Sequence, residues 1–285
     1  MGHEVLRAAY ERHLSRFFPA RNRSRGYGEG AVTSSKSQHD TVSRALLRQR
    51  GFFRPGRGLQ ARVRRVASLR AEEAEAMWAL FAASYDGARR SDFDRDLAEK
   101  HHVIVLKDAQ RQVKGFSTLL AIEEAGQWCA VFSGDTIVAP GFWGQTALQR
   151  AFIWYLMAQR LKRGLPVFWF LITKGYRTYL LLTRYFPTHW PRHDAPTPAF
   201  EGALLDTLCR RKFGGTWDAT SGLLRFTGDV VRLAEDLADV PTRLLKDEDV
   251  AFFLAKNPRW REGDELCCLA AADDLFVQKT TRTFL

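Results

Sequence analysis

The pattern of apolar and polar positions predicts strands and helices in mixed succession through the middle of the chain. Strands are indicated by short runs of β-branched and aromatic residues, either alternating with polar ones or unbroken, and helices by apolar positions three or four apart. In chain order these patterns predict a strand at 61–69, helices at 71–84 and 91–100, strands at 102–107, 112–122 and 127–138, a helix at 145–162, a strand at 166–172 and a helix at 175–184. Short polar turns join the three consecutive strands, which predicts an antiparallel meander, and Ser91 is expected to cap the second helix.

The pattern changes towards both ends. Residues 4–18 place apolar side chains on one helical face, which indicates a basic amphipathic helix that packs on its own domain or lies on a membrane surface. Residues 19–40 are rich in Arg, Gly and Ser, a composition typical of a loop. The remaining predictions are a helix at 40–50, a Pro-rich loop at 187–198, a helix from Thr197-Pro198 to Gly214-Gly215, a strand at 222–227, helices at 229–238 and 247–255, and a last strand at 264–271.

Composition limits the class of protein. The chain has 285 residues, of which 46% are hydrophobic, enough for one large domain with a sizeable core. No segment reaches about 18 uninterrupted apolar residues, so we expect no transmembrane helix, and arginines at 7, 12 and 16 interrupt any signal-peptide stretch. The four cysteines form no CxxC pair, and we expect reduced core residues in a cytoplasmic protein rather than metal ligands.

The net charge of +11 is concentrated near the beginning of the chain. Residues 1–70 hold 16 Lys/Arg and 4 Asp/Glu, a balance of +12, whereas the remainder holds 27 and 28. Such an asymmetry predicts an acidic partner: a carrier protein, an acidic peptide, nucleic acid or an anionic membrane surface. The alternative is a solvated arm that only aids solubility.

The stretch from Gln127 to Gly164 is a candidate binding element. Its strand breaks at Pro140-Gly141, and a short turn leads directly into a helix. A helix N-terminus presents unpaired N–H groups with partial positive charge, which suit a phosphate or a polar amide chain. The chain has no GxSxG, GxxxxGK[ST] or HExxH motif, and no GxGxxG after a strand, so other common chemistries lack support.

The order strand, two helices, three antiparallel strands, helix, strand, helix over 61–186 resembles the GNAT superfamily of acyl-CoA-dependent N-acyltransferases. The resemblance implies an α/β (α+β) GNAT fold, with a mixed, mostly antiparallel central sheet flanked by helices. It also implies that the fourth strand separates from the fifth, that pantetheine pairs with the fourth strand, and that the following turn holds the pyrophosphate. By this resemblance the cofactor-binding residues are Ile137, Val138, Phe142, Trp143, Gly144, Gln145 and Thr146. The chain would then comprise a basic N-terminal extension (1–60), the acyltransferase core (61–186) and a C-terminal part (187–285) that completes the sheet and the acceptor side.

The turn departs from the family pattern of Arg or Gln followed by Gly-x-Gly/Ala, because this chain has Trp143, Gly144, Gln145 and Thr146. A side chain at Thr146 would crowd a pyrophosphate. An acyl carrier protein donates from pantetheine without adenosine pyrophosphate and is acidic, so the donor is predicted to be acyl-CoA or an acylated carrier protein. Aromatic residues near the split favour a medium or long acyl chain: Phe142, Trp143, Phe152, Trp154, Tyr155, Phe168, Trp169 and Phe170.

The resemblance also indicates catalytic residues. Asp135 is the one carboxylate within 128–138, three residues before the expected split, and is our candidate base. Glu123 and Glu124 are expected in a solvated turn, unless a bent strand aims one inward. Tyr179, and after it Tyr176, are candidates for the acid that protonates the thiolate, although Leu181 occupies the family's usual position.

Further polar residues are weaker candidates. Lys174 and Arg177 could meet an anionic substrate group or the carrier's phosphate, or could form an ordinary solvated turn. His189, His193 and Asp194, in the Pro-rich loop, could reach the acceptor or be inert. Ser133 could adjoin a ligand or have no role.

The sequence thus predicts transfer of an acyl group from a pantetheine thioester to an amine of a small molecule or peptide, without a metal. Nucleic acid is not the expected partner. The second hypothesis is a non-catalytic GNAT-derived module that docks an acidic partner through its basic N-terminal region.

Overall fold

The structure is a computed structural model that describes residues 58–124, 126–227, 232–233 and 238–284. The helices predicted at 4–18 and 40–50, the loop between them and most of the helix predicted at 229–238 lie outside the described residues. So does nearly all of the predicted basic extension.

Eleven strands and seven α-helices make up the described residues. The strands are β1 (Gln60–Arg65), β2 (Tyr85–Asp86), β3 (His102–Lys107), β4 (Val113–Glu124), β5 (Trp128–Val138), β6 (Val167–Thr173), β7 (His189–Trp190), β8 (Trp217–Asp218), β9 (Leu223–Leu224), β10 (Arg232–Leu233) and β11 (Glu265–Ala271). The helices are α1 (Ala71–Ser84), α2 (Arg90–Glu99), α3 (Ala147–Arg163), α4 (Tyr176–Tyr185), α5 (Ala199–Phe213), α6 (Glu248–Lys256) and α7 (Asp274–Phe284).

The main sheet has the strand order β1-β3-β4-β5-β6-β11-β9-β8, with β7 also paired to β11. Its pairs are antiparallel except β5–β6, which is parallel. The helix α3 connects the parallel strands, as a crossover requires. The predicted fold class, a mostly antiparallel sheet flanked by helices, is confirmed.

The sheet is buried on both faces because successive side chains of a strand point to opposite sides. On β3, Ile104 and Leu106 join the core under α3, α4, α6 and α7, which we call the α3 face. Val103 and Val105 join the core under α1 and α2. The helix α5 covers the adjoining part of that second face, the α1 face, through contacts with β5, β6 and β11.

The structure corrects several local predictions. The helix α2 begins at Arg90 with Arg89 as N-cap, so Ser91 does not cap it. Glu123 and Glu124 are the last residues of β4 rather than turn residues. Arg232–Leu233, predicted within a helix, form β10 and pair with β2. The helix α7 was not predicted, although the Asp273 side chain accepts a hydrogen bond from the Phe276 N–H at its start, 2.8 Å away.

Candidate active site

The parallel strands β5 and β6 separate partway along their length. They pair from Cys129 opposite Val167 to Ser133 opposite Leu171. Beyond Ser133, β5 continues only against β4, while the end of β6 pairs only with β11. The separation opens a cleft of about 520 Å³, within the usual range for small-molecule sites. The split was expected after Val138 and begins five residues earlier.

A β-bulge lies where the split begins. Leu119 of β4 faces Ser133, but Ser117 faces Thr136, so β5 has one extra residue in this interval. The extra residue changes which face the following side chains occupy. Ser133 and Thr136 both lie on the α3 face, whereas Ile137 belongs to the core under α1 and α2. By alternation Asp135 points to the α1 face.

Asp135 therefore lies in the wall of the cleft, half-buried. Burial of the carboxylate raises its pKa to about 7, and the negative charges of Asp96 and Glu265 add to the rise, while Lys100 and Lys174 oppose it. A carboxylate with such a pKa can accept a proton near neutral pH. Asp135 has the position and electrostatics expected of a general base.

Three lysines of this region are paired with carboxylates other than Asp135. The Lys100 ammonium lies 2.5 Å from the Asp96 carboxylate, with its side chain fully buried. Lys174 forms an ion pair with Glu265, and Lys212, also in the cleft wall, pairs with Glu99 at 2.6 Å. No partner within hydrogen-bonding distance is seen for the Asp135 carboxylate among the described side chains, which leaves it for a substrate.

Tyr85, which the sequence analysis missed, also lines the cleft. Burial raises the pKa of its phenol well above the ordinary value, and the charges of Asp135 and Glu265 raise it further. The hydroxyl therefore keeps its proton and can donate to a substrate. It lies at the end of α1, and no sequence motif marks it.

The free edge of β5 presents backbone groups to the split. The Ala139 N–H donates to the Lys114 oxygen, 2.8 Å away, so Ala139 and Ile137 turn their backbone groups towards β4. Because the backbone groups of successive residues point to opposite sides of a strand, the N–H and C=O groups of Thr136 and Val138 point towards the split. The Trp143 indole N–H donates to the Val138 oxygen at 2.7 Å. Both predicted residues Ile137 and Val138 line the cleft.

The turn after β5 carries the other predicted cofactor residues. Phe142, Trp143, Gly144 and Gln145 line the cleft, and Gly144 has a φ of +82°, a conformation that favours glycine. Thr146 is the N-cap of α3, but its side chain does not bond the first amides of the helix. Gln145 is used structurally, since its Oε1 accepts a hydrogen bond from the Leu59 N–H at 2.7 Å.

The two candidate tyrosines lie apart. Tyr176 lines the cleft; its hydroxyl donates to the Asp239 oxygen at 3.1 Å and accepts from Arg177 Nε at 3.2 Å. Tyr179 is fully buried, does not line the cleft, and donates to the Pro191 oxygen at 2.9 Å. Of the two candidate tyrosines, Tyr176 lines the cleft and Tyr179 does not.

The weaker candidates divide in the same way. Lys174, Arg177 and Ser133 line the cleft, as does Leu181 at the family's usual tyrosine position. The Arg177 guanidinium lies 4.7 Å from the centre of the Trp143 ring. Five other candidates do not line the cleft: Glu123, Glu124, His189, His193 and Asp194. Glu123 forms an ion pair with Arg163, and Asp194 forms one with Arg192. His189 is buried, and its ring Nδ1 is hydrogen-bonded to the Phe186 oxygen.

The topology now decides the fold. An antiparallel β3–β4–β5 meander, a bulge and split between the parallel strands β5 and β6, and a helix that starts at the open end of the split all occur together. The described residues have the GNAT fold.

Comparisons with known proteins give GNAT structures at low similarity. A GNAT-family N-acetyltransferase from Escherichia coli in complex with CoA is 19% identical, covers 44% of this chain and 68% of its own, and has a TM-score of 0.31. A GNAT-family acetyltransferase from Elizabethkingia anophelis with acetyl-CoA bound is 11% identical over 47% of this chain and 78% of its own, with a TM-score of 0.32. A protein from Enterococcus faecalis described as a probable N-acyltransferase is 16% identical over 46% of this chain, with a TM-score of 0.33, and this chain spans only 33% of it.

No protein-family model matches this GNAT-fold chain, and no curated protein matches it. In the described residues no group of three or more His, Cys, Asp and Glu could hold a metal ion. Within the same ranges, no helix is long and apolar enough to cross a membrane. All four cysteines are free and buried.

Proposed function

We propose that this protein is an N-acyltransferase that moves an acyl group from a pantetheine thioester to an amine bound in the cleft. One observation carries the proposal: the β5 bulge places Asp135, with a pKa of about 7, in a cleft next to a free strand edge. A base of this pKa can take a proton from an ammonium group or an attacking amine at neutral pH.

The donor would lie along the free edge of β5. Pantetheine contains two amide groups, and the outward backbone groups of Thr136 and Val138 offer them a strand-like pairing. The first amides of α3 lie beyond and lack a side-chain cap, so they can meet a phosphate. Arg177, stacked on Trp143 at the cleft, adds a positive charge for the same group.

The chemistry follows from this placement. The amine attacks the thioester carbon, a C–N bond forms, and Asp135 takes the proton that the nitrogen loses. When the tetrahedral intermediate collapses, the C–S bond breaks, and the Tyr176 hydroxyl turns from the Asp239 oxygen to supply a proton to the leaving thiolate, to be replaced from solvent. Tyr85 donates a hydrogen bond to the acceptor. The products are an amide and a free pantetheine thiol.

Both acyl-CoA and an acylated carrier protein remain candidate donors. The altered turn Gly144-Gln145-Thr146 favours a carrier protein, because Gln145 already accepts a hydrogen bond from the Leu59 N–H and Thr146 has a larger side chain than the glycine or alanine of the family pattern. The uncapped α3 N-terminus favours CoA. The acidic carrier would also suit the basic residues 1–57, which lie outside the described part of the chain.

The prediction of a medium or long acyl chain has less support from the structure than from the sequence. Of the eight aromatic residues near the split, Phe142, Trp143, Phe152 and Trp169 line the cleft or the adjoining cavity. The other four line neither: Tyr155, Phe168 and Phe170 are buried in the core, and Trp154 is half-buried. Chain length must therefore be judged from the cavity that receives it.

Amide hydrogen exchange with and without CoA tests the donor site. We expect CoA to slow exchange at Thr136 and Val138 and in the first turn of α3, with no change in α6, which contributes no residue to the cleft wall. Binding that protects α6 instead, or no binding of either CoA or an acylated carrier protein, would contradict the proposal. The second hypothesis, a non-catalytic docking module, would then take its place; no feature of the described residues favours it over catalysis.

A further inference from the structure

A small side chamber opens from the cleft on the α3 face. It shares Ser133, Thr136, Leu148, Gln149 and Leu181 with the cleft, so the two cavities adjoin each other. Its inner walls are Phe152, Ile153, Trp169, Tyr185 and Phe186. The lining is almost entirely apolar.

The far end of the chamber is closed by packed rings. The Trp169 ring lies 4.9 Å from that of Phe152 and 4.8 Å from that of Phe186. Its indole N–H donates to the Ser133 hydroxyl at 2.8 Å, which fixes the ring against β5. Phe186 in turn stacks on Phe276 of α7, with 4.7 Å between the ring centres. These contacts leave no room for a chain to pass further into the core.

The chamber and the candidate base lie on opposite sides of the split. Ser133 and Thr136 line the chamber, whereas Asp135, turned by the bulge, faces the carboxylates and lysines of the α1 face. A thioester carbon held between the two strands at this level would have the amine on the Asp135 side. Its acyl substituent would then point into the chamber.

The volume of the chamber limits what it can hold. It is about 40 Å³, whereas an apolar cavity of about 150 Å³ accommodates benzene, and one water needs roughly 10–15 Å³. The chamber thus has space for about two or three non-hydrogen atoms.

We propose that this chamber is the acyl-group subsite and that Phe152 and Leu181 restrict it to short acyl groups, acetyl or propionyl. The proposal rests on the acyltransferase function proposed above. Phe152 forms the inner wall together with Trp169, and Leu181, partly exposed on α4, lies where the chamber meets the cleft. A longer chain has to displace packed rings, which costs free energy that its own burial does not recover.

Calorimetric binding of CoA and of acetyl-, propionyl-, butyryl-, hexanoyl- and octanoyl-CoA to the full chain tests the inference without knowledge of the acceptor. We expect the tightest binding at acetyl or propionyl and a loss of about 10-fold or more at octanoyl, the scale of overpacking a cavity. Phe152→Ala should shift the optimum to longer chains, and Leu181→Phe should weaken propionyl-CoA relative to CoA.

Phe200→Leu is the matched control, because Phe200 is a buried ring on α5 that lines neither the cleft nor the chamber, and its chain-length profile should match the wild type. Thermal unfolding shows which variants are folded; if Phe152→Ala fails, Leu181→Phe still tests the site. Tighter binding of octanoyl-CoA than of propionyl-CoA by the wild type would overturn the short-chain subsite alone. An unchanged profile in folded Phe152→Ala and Leu181→Phe would do the same. Failure of CoA and all its esters to bind would remove the proposed donor, and the subsite with it.

Discussion

Gly134 lies against Thr118 so closely that a side chain at Gly134 has no space. A Cβ atom built there would come within 2.6 Å of Thr118 Oγ1 and 3.0 Å of Lys100 Cε. This contact lies within the bulge, where β5 has its extra residue. The extra residue places Asp135 on the opposite face from Ser133, and the strands approach closely just before it, at Gly134.

Gly134→Ala should therefore destabilise the fold by about 1–3 kcal/mol, the usual cost of overpacking, and lower turnover. Urea unfolding measures the first effect. Adding Thr118→Ala removes the clashing oxygen and should recover more than half of the loss. Gly141→Ala is the control, because its Cβ would meet no atom within 4 Å. Purely additive destabilisation in the double variant would exclude the contact as the cause.

Asp135→Asn should lower the rate of transfer by roughly 100-fold or more, the range of general acid–base catalysis. In the wild type the rate should rise with pH through an apparent pKa near 7, because the carboxylate must be ionised to accept a proton. The variant should lack that limb. Asp92→Asn, which alters an exposed carboxylate on α2 paired with Arg95, should keep both rate and limb. A pH limb retained in Asp135→Asn would assign the base to another group.

The same substitution should stabilise the protein above neutral pH. The folded state holds the Asp135 proton up to about pH 7, whereas the unfolded chain releases it near 3.8. The free energy of unfolding therefore falls as pH rises through this interval. The shift corresponds to at most about 4 kcal/mol, and screening by solvent in the cleft should reduce it to about 1–2 kcal/mol. Urea unfolding of Asp135→Asn should show this gain at pH 8 and little at pH 4; equal stabilities at pH 8 would contradict the raised pKa.

Trp143→Phe should bind CoA more tightly. The indole N–H of Trp143 occupies the Val138 oxygen, 2.7 Å away, which the pantetheine arm would otherwise use. Removing one competing hydrogen bond of about 0.5–1.5 kcal/mol should strengthen binding by about 3- to 10-fold in calorimetry. Trp217→Phe is the control, because it removes the hydrogen bond from the Trp217 indole N–H to the Asp206 carboxylate, and neither residue lines the cleft. This variant should leave CoA affinity unchanged. Weaker binding by Trp143→Phe would show that the indole serves the ligand.

Local pattern was enough to locate most elements near the split. The helix at 71–84 and the strand at 102–107 have the predicted bounds, because apolar periodicity reports which side chains the core receives. Asp135 was found for a related reason, as a lone carboxylate in an apolar strand. Whether it acts as the base stays a prediction.

Register and tertiary proximity could not be read in the same way. The position of the split depends on how β4, β5, β6 and β11 align, and the one local sign of the bulge was a glycine at 134 inside a strand. Tyr85 and Asp96 line the cleft, and Lys100 acts on the Asp135 carboxylate through its charge, although all three lie 35 or more residues before Asp135 in the chain. No spacing rule connects residues so far apart in the chain.

The central claim is tested most directly by searching for the product. The full chain would be incubated with acetyl-CoA and a mixture of amino acids, polyamines and short peptides, and the mixture analysed by mass spectrometry for acetylated amines, with free thiol measured in parallel. We predict one class of acetylated amine, formed with an equal amount of free CoA and lost in Asp135→Asn. If no acetylated amine forms from acetyl-CoA or from an acetylated carrier protein, although the chain is folded and binds the donor, the assignment as an N-acyltransferase is contradicted.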